Sequence, residues 1–124
     1  MKLTENENEI LEVLWKAGRP LTGAEIKSLS INKSWKDSSI HILINSLLKK
    51  EAIREAGFVR TGKGYGRTFE PTESGENYYA GILASVAEKT NIKTLFSALF
   101  NNEKITKETI QELEELLAEK KQEL

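Results

Sequence analysis

Apolar residues recur with a helical period over most of the chain, and the period changes once, in the middle. Ile10, Leu11, Leu14 and Trp15 repeat at helical spacing behind Thr4 and Glu7, the residue pair of a capping box, so a first helix is predicted over residues 5–16. Gly18 and Pro20 break it. Thr22 with Glu25 repeats the capping pattern ahead of Ala24, Ile26 and Leu29, predicting a short second helix over residues 23–29. A polar connection over residues 30–34 leads to a third helix over residues 36–50, opened by a cap at Ser34 or Asp37. From Ala52 the runs IREAGFVR and GRTFEP carry β-favouring residues around the glycine-dense TGKGYG, which predicts a hairpin ending at Pro71 with a bulge at Gly57. Helical spacing then returns in three stripes. Tyr79, Ile82, Leu83 and Val86 form the first, and Ile92, Leu95, Phe96, Leu99 and Phe100 the second. Ile110, Leu113, Leu116 and Leu117 form the third, in a helix capped by Thr106 with Ile105 and Ile110 as a hydrophobic staple. The expected architecture is mainly α with a small β-hairpin wing: a winged helix-turn-helix domain in residues 1–71, followed by a three-helix segment in residues 72–124.

The third helix has two unlike faces. Ile40, Leu43, Ile44, Leu47 and Leu48 make a core stripe, whereas Ser38, Ser39, His41, Ile42, Asn45, Ser46 and Lys49 lie on the other half with few long charges. In a helix-turn-helix the second helix of the pair enters the major groove, where short polar side chains can approach base edges and an isoleucine can meet a thymine methyl. The bland reading of Ile42 is that it packs against the C-terminal segment or is simply exposed. Lys49, with Lys50 beside it, and Arg60, Lys63 and Arg67 on the hairpin are candidate phosphate anchors, and Tyr65 at the wing tip stiffens the turn or stacks on a sugar.

Charge supports a polyanionic partner once it is divided along the chain. Residues 27–67 hold 9 Lys and Arg against 3 Asp and Glu, while residues 1–26 hold 3 against 5 and residues 68–124 hold 6 against 11, so a basic middle is framed by acidic ends. With 124 residues and 39% apolar content, the chain can bury one modest core with an extension rather than two full domains. No apolar run approaches the ~18 residues of a membrane span, and KLTENENEI lacks a secretion-signal layout, so a cytoplasmic protein without membrane association is expected. With no cysteine and His41 as the single histidine, a disulfide framework and thiolate or histidine-rich metal sites are excluded, and no metal or cofactor is expected.

Catalysis explains little. Asp37, Ser38 and His41 share one exposed helix without an oxyanion site or a concave pocket, and GKGYG lacks both the Walker pattern and its strand-loop-helix context. The three C-terminal helices have too little chain of their own to bury their apolar faces. A second copy is the simplest partner, placing Tyr79, Ile82, Leu83, Val86, Leu95, Phe96, Leu99, Phe100, Ile110, Leu113 and Leu117 in a two-fold homodimer, and the alternative is a monomer folded back on its winged domain. The runner-up for the whole chain is a winged-helix protein-interaction module docking through Ile42 and its neighbours.

The run LTENENEILEVLWKAGRPLTGAEI, then SWKDSSIHILINSLLKKEAI and the wing, and three helices ending in KITKETIQELEELL, resembles the BlaI/MecI/CopY family of penicillinase and copper-responsive repressors over nearly the whole chain. The resemblance implies a homodimeric winged-helix repressor, not an enzyme, that occupies a palindromic operator on double-stranded DNA. It maps the DNA-contacting helix onto Ser38, Ser39, His41, Ile42 and Ser46. The family's usual Lys-Thr pair is Ser38-Ser39 here, its Thr is Ile42, its Arg is Ser46 and its Gly is Glu51, which implies a different operator or weaker phosphate anchoring, and the wing is several residues longer, with extra basic residues to replace the anchors missing from the helix. In the penicillinase branch a sensor-linked protease cuts an Asn-Phe bond where this chain has Ala98-Leu99, and the paired cysteines of the copper branch are absent.

Overall fold

The computed structural model describes residues 2–62, 64–102 and 105–124. They fall into two compact bodies, Met1–Gly81 and Ile82–Leu124.

The first body opens with α1 (Glu5–Ala17). Its capping box forms as expected: the Thr4 hydroxyl accepts from the Glu7 N–H at 3.2 Å, and the Glu7 carboxylate accepts from the Thr4 N–H at 2.7 Å. Gly18 ends the helix at φ 66°, a left-handed conformation that a residue without a Cβ adopts at no steric cost, and its N–H donates to the Leu14 carbonyl. A two-residue strand β1 (Leu21–Thr22) follows, then α2 (Gly23–Leu29), capped reciprocally by Thr22 and Glu25. The third helix differs from expectation at its start. A 3-10 turn over Asp37–Ser39 precedes the α-helix α3 (Ile40–Lys49), and neither Ser34 nor Asp37 caps it. Ser34 is engaged by α1 instead: its N–H donates to Glu9 Oε1 at 3.1 Å and its hydroxyl lies 2.5 Å from Glu9 Oε2. Asp37 pairs with Lys33 at 2.7 Å.

The hairpin consists of β2 (Ile53–Thr61) and β3 (Gly64–Pro71), and it is the larger part of a three-stranded antiparallel sheet in the order β1-β3-β2. Leu21 faces Phe69 and Thr22 faces Thr68 across the β1–β3 pair. The expected bulge is present, since the β2–β3 register shifts between Glu55 and Gly57, and Gly57 has φ 137°. Between helices and sheet lies one core, to which α1 gives Ile10, Leu11 and Leu14, α2 gives Ile26, α3 gives Ile40, Ile44 and Leu47, and the strands give Leu21, Ile53 and Phe69, with Trp35 from the connection.

The helix α4 (Gly75–Ala87) begins in this body, where the Trp15 indole N–H donates to the Glu73 carbonyl at 2.9 Å and the Trp15 ring meets those of Tyr78 and Tyr79 at 5.4 and 5.7 Å. Tyr79, grouped by its spacing with Ile82, Leu83 and Val86, thus lies against α1, its hydroxyl donating to Glu12 at 2.9 Å. A Cβ at Gly75 would come within 3.1 Å of the Trp15 ring, so glycine permits this approach.

The second body contains α5 (Ile92–Asn102) and α6 (Lys107–Glu123). Asn91 caps α5 by accepting from the Thr94 N–H, and Thr106 caps α6 by accepting from the Thr109 N–H, both at 3.1 Å. Leu95 and Leu113 are half-buried, whereas Ile82, Leu83, Val86, Phe96, Leu99, Phe100, Ile110 and Leu117 are exposed. Among the described residues no helix is long and apolar enough to cross a membrane.

Candidate nucleic-acid interface

The inward stripe of α3 anchors it, and its other half is left to solvent. Ile40, Ile44 and Leu47 are buried, and Leu43 and Leu48 are partly so. Opposite them Ser38, His41, Asn45 and Lys49 are exposed, Ser39 is half-buried, and Ile42 keeps 72% of its surface in water. An isoleucine so placed forgoes on the order of 1.5–3 kcal/mol of burial that a partner surface could supply. Ser46 departs from the expected outward position. With Leu43 and Lys50 it shares one flank of the helix, at i−3 and i+4, and its hydroxyl donates to Glu7 Oε2 at 2.5 Å.

Ion pairing sorts the candidate phosphate anchors. Lys50 is bound to Glu7 at 2.6 Å and Arg67 to Glu55 at 2.5 Å, the latter with its guanidinium 5.3 Å from the centre of the Phe69 ring. Lys33 and Arg54 are likewise paired, with Asp37 and Glu70. Among the described residues of the basic stretch this leaves Lys27, Lys36, Lys49 and Arg60 without a carboxylate partner. Lys63 lies outside the described residues.

Asp37 is held below the usual carboxylate range by the hydrogen bond and charge of Lys33, so it is engaged away from His41 and no acid-oriented imidazole forms between them. On the wing, Phe58 faces Arg67 and Arg60 faces Tyr65 across the strands, and both aromatic rings are exposed. A cleft of about 290 Å³ between α2, α3 and the wing brings Lys27, His41 and Arg67 together over Ile40, Ile44 and Phe69. Lys27, Lys36 and Phe58 are additions to the sequence-derived set. The signal for Lys27 and Lys36 was their membership of the basic stretch, and that for Phe58 was its place among the β-favouring residues beside the glycine-dense turn.

A helix pair whose second member turns short polar side chains outward, beside a two-stranded wing carrying cations, is the winged helix-turn-helix of DNA-binding transcription regulators. Residues 3–119 match the penicillinase repressor family, and the chain belongs to that family of transcriptional repressors. An "uncharacterized 16.5 kDa protein in ptsI 3'region" of Latilactobacillus sakei is 27% identical over 124 residues, spanning 96% of this chain and 80% of its own length. Among solved structures, the adhesin competence repressor AdcR of Streptococcus pyogenes is similar at 21% identity and a TM-score of 0.44, over 98% of this chain and 80% of that one. ZitR of Lactococcus lactis, a zinc-responsive MarR family member, is similar at 22% identity and a TM-score of 0.46, over 99% of this chain and 77% of that one.

Proposed function

We propose that this protein represses transcription from the cytoplasm as a homodimer on a palindromic operator, without catalysis or cofactor. The 3-10 turn and the first half of α3 read bases through Ser38, Ser39, His41, Ile42 and Asn45, while Lys27, Lys36, Lys49 and Arg60 hold phosphates. Residues 72–124 supply the dimer interface, whose apolar side chains run from Ile82 to Leu117. Two-fold pairing places the two reading helices about 34–36 Å apart, one turn of duplex. The observation that carries the reading is the solvent-facing half of α3, short-chained, with Lys49 at its C-terminal end and 72% exposed at Ile42.

Salt dependence tests it. Four unpaired cations per protomer, at about 0.9 each, give a slope of log K against log salt near −3 to −4 per protomer and about −7 for the dimer, so raising salt from 50 to 200 mM weakens dimer binding on the order of ten-thousandfold. A protein-docking surface centred on Ile42 would respond only mildly. If fluorescence anisotropy with duplex DNA shows no such slope, or if Lys49→Ala with Arg60→Ala leaves affinity unchanged, the DNA reading fails. For the dimer, sedimentation of the intact chain at micromolar concentration should give twice the monomer mass, and a monomer would remove the palindrome.

A further inference from the structure

Glu7 stands in the first turn of α1 with only 1% of the residue exposed, and it is the one buried carboxylate among the described residues. Its oxygens accept from three donors on two helices: the Thr4 N–H at 2.7 Å, the Lys50 ammonium at 2.6 Å and the Ser46 hydroxyl at 2.5 Å. Thr4 belongs to the capping box of α1. Ser46 and Lys50 lie one turn apart at the C-terminal end of α3, the helix that reads DNA in the proposal above.

We infer that Glu7 is a positioning residue for DNA contact, holding the C-terminal turns of α3 against α1 and withholding Ser46 and Lys50 from the duplex. The inference rests on the DNA-binding reading of α3. An ammonium that hydrogen-bonds a buried carboxylate cannot also neutralise a phosphate, because leaving would strand a charge away from water. Ser46, with its single hydroxyl hydrogen on Glu7, donates nothing to a base or phosphate. The reading surface therefore stops short of the end of the helix, and Lys49, next to Lys50 in sequence, is the cation that remains for the backbone there. The low acidity range of Glu7 agrees with this geometry: burial pushes its carboxyl up, but the donors from Lys50, Ser46 and Thr4 prevail and bring it to about 2.

The test measures salt slopes of the intact protein on a random-sequence duplex of about 30 base pairs, by fluorescence anisotropy. Lys50→Met should leave the slope unchanged, since Lys50 releases no counterion. Glu7→Gln should free Lys50 and steepen the slope by about 0.9 per protomer, one phosphate's worth each, and adding Lys50→Met to Glu7→Gln should restore the original slope. A merely structural Glu7 would change the melting temperature and not this slope. The inference is overturned if Lys50→Met alone flattens the slope by about 0.9 per protomer, or if folded Glu7→Gln protein keeps the wild-type value. Should Glu7→Gln fail to fold, the Lys50→Met arm still decides. Absence of any duplex binding by the unaltered protein would instead sink the DNA-binding reading itself.

Discussion

Ile42 and Ile44 are separated by one residue on α3, yet one is 72% exposed and the other 2%. Truncating each to alanine separates reading from folding. Ile44→Ala removes three carbons from a closed core and should cost about 2–5 kcal/mol of stability, the range for large-to-small changes in such places. Ile42→Ala removes carbons that are mostly in water already, so its effect on stability should stay within about 0.5 kcal/mol. On DNA the order reverses. If Ile42 is covered by the floor of the major groove, losing most of its burial should cost about 1–2 kcal/mol, a five- to thirtyfold rise in Kd. Urea denaturation followed by circular dichroism gives the first pair of numbers, and anisotropy on duplexes selected from genomic fragments gives the second. The reasoning is refuted if Ile42→Ala destabilises the fold by more than about 1.5 kcal/mol, which would mean a covered side chain, or if it leaves affinity for selected DNA unchanged.

Acid should weaken the protein in a window that Glu7 defines. Its carboxyl falls from an ordinary 4.5 to about 2 in the folded chain, so its contribution is complete above pH 4.5 and is lost as pH falls towards 2, on the order of 3 kcal/mol in all. Urea midpoints at pH 6, 4 and 3 should drop steeply in the native protein and less in Glu7→Gln, and parallel profiles would contradict the assignment. Gly57→Ala forces a Cβ onto a residue at φ 137° and should cost about 1–3 kcal/mol, felt mainly in the wing. Faster amide exchange along β2 and β3, with α1 unaffected, is the expected result, and unchanged protection in the wing would refute it.

The parts of the fold written in local pattern were legible beforehand. Thr4 with Glu7 and Thr22 with Glu25 announced two helix starts, and Gly57 announced the bulge, because each depends on residues a few positions apart. What escaped was set by distant partners. β1 has two residues, too few for any period, and exists because Leu21 and Thr22 find Phe69 and Thr68. Ser34 looked like a helix cap until Glu9, 25 residues earlier, engaged it. The same holds at the candidate DNA-binding surface: the inward and outward faces of α3 followed from its 3.6-residue period, but nothing local revealed that Glu7 claims Ser46 and Lys50, or that Glu55 claims Arg67. Sequence order displays cations, and the fold decides which of them are already spoken for.

Thr22 links two pieces of machinery through one residue. Its hydroxyl starts α2, and its backbone pairs with Thr68 at the base of the wing. The probe arm and the bench on which the reading helix is mounted therefore share a common bolt. On the proposed DNA-binding reading, a substitution at Thr22 disturbs the start of α2 and the base of the wing together, so both halves of the proposed interface should lose affinity in step.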